Sequence, residues 1–175
     1  ALEGVELVGV VNRSRESSER AAAEFEIPRV FDSWQELVAD DEVDAVMIGT
    51  WPNMHCEVTC AALEAGKHVM SETASNTTLA EGVALCRKVE ETGKIYMLAE
   101  NYPYTAFNQE MRRLYRTGEI GEVTYAEGEY NHPMDAEARL RISPGRQHWR
   151  SWLPSTYYCT HALAPLVYIT DTMPK

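Results

Sequence analysis

The sequence predicts an α/β fold: an incomplete parallel sheet followed by the beginning of a second α/β (α+β) domain. Three observations predict it. Short apolar runs alternate with helical patterns up to about residue 101. Those runs carry few internal charges, as expected of strands in a parallel sheet buried on both faces. The pattern then changes at Tyr102-Pro103, so residues 1–102 form one expected domain and residues 103–175 the start of another.

The elements follow in order. Val5-Glu6-Leu7-Val8-Gly9-Val10-Val11 reads as a buried strand, rich in valine and ended by the polar Asn12. Ser14 can cap a helix running to about Phe25. Ser33-Trp34-Gln35-Glu36 is a capping box that opens a second helix, which fades at Asp40-Asp41. Ala45-Val46-Met47-Ile48-Gly49 is an apolar run of strand length. A helix follows from about Met54 to Ala65, stopped by Gly66. His68-Val69-Met70 is a short strand. Thr78 and Glu81 form a second capping box, opening a helix that ends at Gly93, and Ile95–Ala99 is the next strand. These four strands are expected side by side, with helices on both faces. A helix from about Tyr104 to Arg116 then leads to Val123–Tyr130, an alternating run that reads as a strand with one open face. Residues 131–156, rich in Pro, Arg, Trp and His, read as a long loop or lid. A more apolar helical stretch runs from Tyr157 to Tyr168.

Composition narrows the function. The chain has 175 residues, 45% of them hydrophobic, enough to bury a sizeable core. Its net charge of -11 repels phosphate backbones and anionic lipid, which argues against nucleic-acid and membrane partners. No apolar run approaches the roughly 20 residues of a membrane helix. The first residues, Ala1-Leu2-Glu3-Gly4, lack the basic region and apolar core of a signal peptide. Four irregularly spaced cysteines do not make a disulfide framework, and the expected compartment is the reducing cytoplasm. His55-Cys56 and Cys60 lack the second ligand pair of a structural zinc site, so no metal is expected.

A dinucleotide-binding unit opens with a strand and a G-x-G-x-x-G turn that lets pyrophosphate approach the backbone. The sequence contains no such turn. Val5–Asn12 nevertheless reads as the second strand of that unit. The expectation is an empty strand slot beside it, with the first strand and turn outside this chain, and a chain inactive by itself.

The run Ala61-Ala62-Leu63-Glu64-Ala65-Gly66-Lys67-His68-Val69-Met70-Ser71, followed by Glu72-Thr73-Ala74, resembles the central motif of the Gfo/Idh/MocA oxidoreductases, A-L-x-A-G-K-H-V and then E-K-P. The resemblance implies a Rossmann-like NAD(P)-binding domain over residues 1–102 that lacks its first βα unit. Val10-Val11-Asn12-Arg13-Ser14 resembles the ribose-reading strand end of that family. It implies that Asn12 and Arg13 contact the cofactor, with NADP possible beside NAD because a guanidinium can pair with a phosphate. Thr50-Trp51-Pro52-Asn53-Met54-His55 resembles the family's T-P-x-x-x-H loop, which implies Thr50, Trp51 and His55 beside the nicotinamide ribose. Glu72 and Asn101 complete the implied cofactor set. Thr73 stands where the family carries lysine, and Ala74 where it carries proline.

A closer resemblance lies further on. Glu100-Asn101-Tyr102, Gly128-Glu129-Tyr130-Asn131-His132, His148-Trp149-Arg150 and Tyr157-Tyr158-Cys159-Thr160-His161-Ala162-Leu163-Ala164-Pro165 are together similar to the NAD-dependent glycosidase branch of the family, which includes α-N-acetylgalactosaminidases. The branch has Gly where this chain has Ala162 and Ala164. Its chemistry oxidises a sugar 3-hydroxyl, removes the acidified C2 proton, expels the aglycone from C1, adds water and returns the hydride. The resemblance makes His161 the leading acid/base, with Tyr158, Tyr130 and His132 the candidates for elimination and sugar binding. Trp149 and Trp152 are the residues able to stack on a sugar ring, and Tyr157 reads as a packing residue. The implied partner is a sugar or glycoside, in a homo-oligomer formed through the second domain. Two other readings stay open: a plain NAD(P)-dependent sugar dehydrogenase, and a non-catalytic relative that binds a nucleotide or sugar.

Overall fold

The computed structural model describes residues 3–131 and 133–173. The chain divides into two compact units, Ala1–Met97 and Leu98–Lys175. The first contains β1 (Gly9–Val10), α1 (Arg15–Phe25), β2 (Arg29–Val30), α2 (Trp34–Ala39), β3 (Ala45–Ile48), α3 (Pro52–Glu64), β4 (His68–Ser71) and α4 (Leu79–Thr92), with β5 (Tyr96–Leu98) at its end.

Side-chain caps fix where these helices start. Ser14 Oγ accepts from Ser17 N at 3.3 Å while Ser17 Oγ accepts from Ser14 N, a reciprocal box at the start of α1. Thr78 and Glu81 do the same for α4, at 3.2 and 3.1 Å. Ser33 caps α2 by accepting from Glu36 N. The ends differ. Gly93 closes α4 at φ 63, whereas α1 closes on Glu26 at φ 54, where a side chain meets its own carbonyl.

β3 and β4 run parallel in the register Ala45↔His68 to Ile48↔Ser71. β5 lies beyond β4, with Val69 N donating to Ile95 O at 2.9 Å. The core forms where Val46, Ile48 and Val69 meet Val58, Ala62 and Leu63 of α3, joined by Val38 and Val43. Lys67, between α3 and β4, is buried and donates from Nζ to the Asp40 carbonyl at the end of α2, at 2.8 Å. Arg29 hydrogen-bonds the Asp40 carboxyl and holds it below the usual carboxylate range.

Three expectations need correction here. The four strands do not form one row. β1 pairs in parallel with β2, a strand too short to show a period, in a separate two-stranded sheet. The long N-terminal strand shrinks to two residues, and Val5 and Leu7 are each 54% exposed, because only Gly9 and Val10 find ladder partners. Burial on both faces fails at β3: Val46 and Ile48 are inside, whereas Met47 is 66% exposed.

The second unit is helical among the described residues. A 3₁₀ turn (Tyr102–Tyr104) leads into α5 (Ala106–Arg116), which packs along α7 (Cys159–Thr170). The run Val123–Tyr130 forms no strand, since no described segment offers it a ladder. The expected loop over residues 131–156 contains α6 (Ala136–Ile142), capped by Asp135 accepting from Ala138 N at 2.7 Å, and a 3₁₀ turn at Trp149–Ser151. Among the described residues no helix is long and apolar enough to cross a membrane. All four cysteines are free: Cys56 is buried, Cys60 half-buried, Cys86 and Cys159 exposed.

Two predictions follow from this packing. Leu63 is fully buried and Leu79 is 90% exposed. Leu63→Ala should cost about 2–5 kcal/mol of unfolding free energy, and Leu79→Ala less than about 0.5, both read from urea titrations. Glu26→Gly removes the left-handed penalty at the end of α1 and should stabilise by about 1 kcal/mol, read as a raised urea midpoint.

Candidate active site

In the first unit the candidate cofactor residues follow the carboxyl ends of the strands. Asn12 and Arg13 come after β1, Thr50 and Trp51 after β3, and Glu72 after β4. That is the edge at which open parallel sheets receive ligands. The Arg13 guanidinium carbon lies 5.8 Å from the centroid of the Trp51 ring, so the ends of β1 and β3 come together there. α3 starts at Trp51-Pro52 with no side-chain hydrogen bond capping it. Glu72 is exposed, its backbone N bonded to Ile48 O at 2.9 Å and its carboxylate accepting from Thr73 N at 3.3 Å. Thr73, in the lysine position, is buried.

His55 lies in the first turn of α3. It is 1% exposed, and both ring nitrogens meet carbonyl oxygens: Nδ1 that of Ala74 at 2.7 Å, Nε2 that of Thr50 at 2.9 Å. It braces the loop after β3 against the loop after β4. At the next position of α3, burial pushes the Cys56 thiol up to about 12, which keeps it protonated and inert. Among the described residues no group of three His, Cys, Asp or Glu could hold a metal ion.

In the second unit the structure brings three of the candidate catalytic residues together. The His161 ring stacks on Tyr158 at 5.0 Å and on Tyr102 at 4.8 Å, and meets Tyr130 edge-on at 4.6 Å. His161 Nδ1 lies 2.7 Å from Glu100 Oε1, with both side chains about nine-tenths buried. Glu100 Oε1 also accepts from Tyr102 N at 3.1 Å, while Oε2 is buried with no hydrogen-bond partner among the described residues. Burial, helped by the neighbouring Tyr102, pushes the Tyr130 phenol up to about 12, so it keeps its proton at neutral pH. Asn101 is exposed at the head of the 3₁₀ turn. His132 lies outside the described residues.

Gly128 explains how Tyr130 reaches this cluster. A Cβ at position 128 would collide with the Ala162 carbonyl in α7, so only glycine lets the extended run lie against that helix. Ala162 and Ala164 do not obstruct α7, which runs unbroken from Cys159 to Thr170.

Sequence reasoning missed Glu100, Tyr102 and Arg150 as site residues. The first two stand directly after β5, within the quoted Glu100-Asn101-Tyr102 motif, but nothing local says that a histidine 61 positions away returns to them. Arg150 Nη2 donates to Tyr158 Oη at 3.4 Å, and its guanidinium sits 4.1 Å over Trp149. Trp149 is buried edge-on against Tyr157 at 4.8 Å, which makes both of them packing residues, and Trp152 is 51% exposed.

The residues of the first unit fit the sugars of a dinucleotide: polar and basic groups at strand ends beside an aromatic ring. They offer no pyrophosphate turn, since the sequence has no G-x-G-x-x-G.

Comparison with known proteins identifies the fold and the family. A glycosyl hydrolase family 109 protein of Phocaeicola vulgatus is 28% identical over 94% of this chain and 43% of its own length. Another, from Bacteroides fragilis, is 31% identical over 80% of this chain and 30% of its own length. The chain thus spans less than half of either relative. The crystal structure of a probable dehydrogenase from Thermotoga maritima shares the fold, with a TM-score of 0.76 over 97% of this chain and 49% of that one at 19% identity. Residues 1–100 match the profile of an oxidoreductase family with an NAD-binding Rossmann fold. That match covers more than half of the sequence and makes NAD(P) the cofactor of this domain, and the chain belongs to the Gfo/Idh/MocA family.

Proposed function

We propose that this chain carries part of the active centre of a nicotinamide-dependent enzyme that cleaves glycosides by transient oxidation of the sugar at C3. The observation that carries the proposal is the Glu100–His161 pair set among Tyr102, Tyr130 and Tyr158. The names of the glycosyl hydrolase family 109 relatives support it. Asn12, Arg13, Thr50, Trp51, Glu72 and Asn101 are the residues that would hold the cofactor.

A bound nicotinamide supplies a hydride acceptor that later becomes the donor. The other steps belong to this chain's side chains. A carboxylate 2.7 Å from Nδ1 makes that nitrogen the N–H donor and leaves the lone pair on Nε2. His161 then takes the proton from the 3-hydroxyl as its carbon is oxidised, and Glu100 stabilises the imidazolium that forms. The ketone acidifies the C2 proton; a solvent water takes it, the C–H electron pair forms the C1–C2 double bond, and the aglycone leaves C1 with its bonding electrons. Tyr130, still protonated, is suited to donate to the departing oxygen. Water adds across the C1–C2 double bond, and His161 gives its proton back to the oxygen on C3 as the hydride returns. Tyr158, held by Arg150, contributes to binding the sugar.

A second reading, a relative that binds without turnover, is favoured by one observation. Thr73 stands in the lysine position and is buried, so the family's usual ammonium is absent there.

The test is glycoside cleavage by the intact protein in D2O. Deuterium should enter at C2 of the released sugar, and cleavage without exchange would remove the mechanism. His161→Ala should lower kcat by about 10²–10⁴ with nucleotide binding retained. Glu100→Gln should lower kcat less, with KM little changed. Gly128→Ala should cost about 1–3 kcal/mol of stability, measured by thermal melting, and should depress activity by shifting Tyr130 away from His161.

A further inference from the structure

Apart from the histidine cluster, the second unit holds a cleft of about 510 Å³ walled by α5 and α7. Its volume lies within the range of about 300–1,000 Å³ usual for small-molecule sites. Leu163, Ala164, Val167 and Met173 give it apolar walls, and Arg112 and Thr160 supply polar groups. On α7, Thr160, Ala164 and Val167 recur at helical spacing and so share one side of the helix, whereas His161 lies about 100° round from Thr160. The cleft is therefore a different surface of α7 from the one on which His161 meets Tyr102, Tyr130 and Tyr158.

The polar groups of this cleft are out of balance. Arg112 Nε and Thr160 Oγ1 are both shut off from solvent with no hydrogen-bond partner among the described residues. Four side-chain atoms among the described residues are in that state, and two of them belong to this one cleft. Buried polar atoms are costly to leave unpaired, so two orphans side by side point to an absent acceptor.

The charges agree. α5 carries three arginines. Arg113 pairs with Glu110 at 2.8 Å and with Glu119 at 2.9 Å. Arg116 pairs at 3.4 Å with Asp171, the acid at the rim of the cleft. Arg112 alone of the three has no carboxylate among the described residues. Its guanidinium carbon lies 3.7 Å from the centroid of the Tyr168 ring, and Tyr168 is itself held by donating from Oη to Gln109 Oε1 at 3.2 Å. A guanidinium stacked on a ring is oriented, and its in-plane N–H donors remain for a planar anion.

We infer that this cleft binds a small monocarboxylate with an apolar body. The carboxylate accepts from Arg112 and Thr160, and the body lies along Leu163, Val167 and Met173. The site is independent of the glycoside chemistry proposed above.

The experiment uses a reporter already in place. Cys159 lines the cleft and is exposed, and Cys86, exposed in the first unit, is the internal control. Maleimide labelling of both thiols in the intact protein is followed by mass spectrometry with octanoate, octanol or acetate present, and affinities are measured by calorimetry. Octanoate should slow labelling of Cys159 saturably and leave Cys86 unchanged. Octanol, with the chain but no charge, should bind at least about tenfold more weakly, since a hydrogen bond to a charged group is worth about that factor or more. Acetate, with the charge but no chain, should not protect at the same concentration. Arg112→Met, which keeps an apolar stem, should weaken octanoate by about 10- to 100-fold, and the isosteric Thr160→Val by about 2- to 10-fold. Absence of protection, equal affinity for octanoate and octanol, or unchanged octanoate affinity in the folded variants would overturn the proposal. So would a Cys159 closed to maleimide in the ligand-free intact protein, since the cleft would then be filled by the protein itself.

Discussion

The seating of α3 on β3 and β4 governs the first unit. Val58, Ala62 and Leu63 fill the space over Val46, Ile48 and Val69, and this contact fixes the helix axis relative to the strands. The first turn of α3 is thereby placed at the carboxyl edge of the sheet, where His55 can reach two loops at once. Its bonds to the carbonyls of Thr50 and Ala74 turn apolar packing into a defined spacing between the two loops. Polar groups that are fully buried carry such positional information because they are costly to leave unpaired.

The second unit solves a comparable problem with aromatic rings. Tyr102, Tyr130 and Tyr158 surround one imidazole, and Glu100 fixes the orientation of that imidazole through a single short bond. α7 supplies His161 and, through the Ala162 carbonyl, the surface against which Gly128 lies. One helix thus sets both the imidazole and the approach of the phenol opposite it. Tyr157 and Trp149 form a backing layer behind Tyr158, with Arg150 joining the layer to the ring cluster.

Much of this architecture was readable from local chemistry. Ser14, Ser33 and Thr78 announced three helix starts, and Gly66 and Gly93 two helix ends, because capping is decided within four residues. The strands at 45–48 and 68–71 were legible as short apolar runs. What escaped was whatever depends on a partner distant in sequence. β2 is two residues long and exists only because β1 lies beside it. Val123–Tyr130 has strand-like alternation but no ladder. Position alone marked His55 as a candidate, whereas its burial and its two carbonyl partners come from the folded loops. The Glu100–His161 pair spans 61 positions, a distance over which no periodicity reports.

The unequal burial of the thiols has a practical side for spectroscopy. Cys56 is shut inside α3, whereas Cys86 on α4 and Cys159 at the start of α7 face solvent, one in each compact unit. A maleimide dye would discriminate between the buried and the open sulfurs without any engineering. The two open positions would thus carry one label on each compact unit.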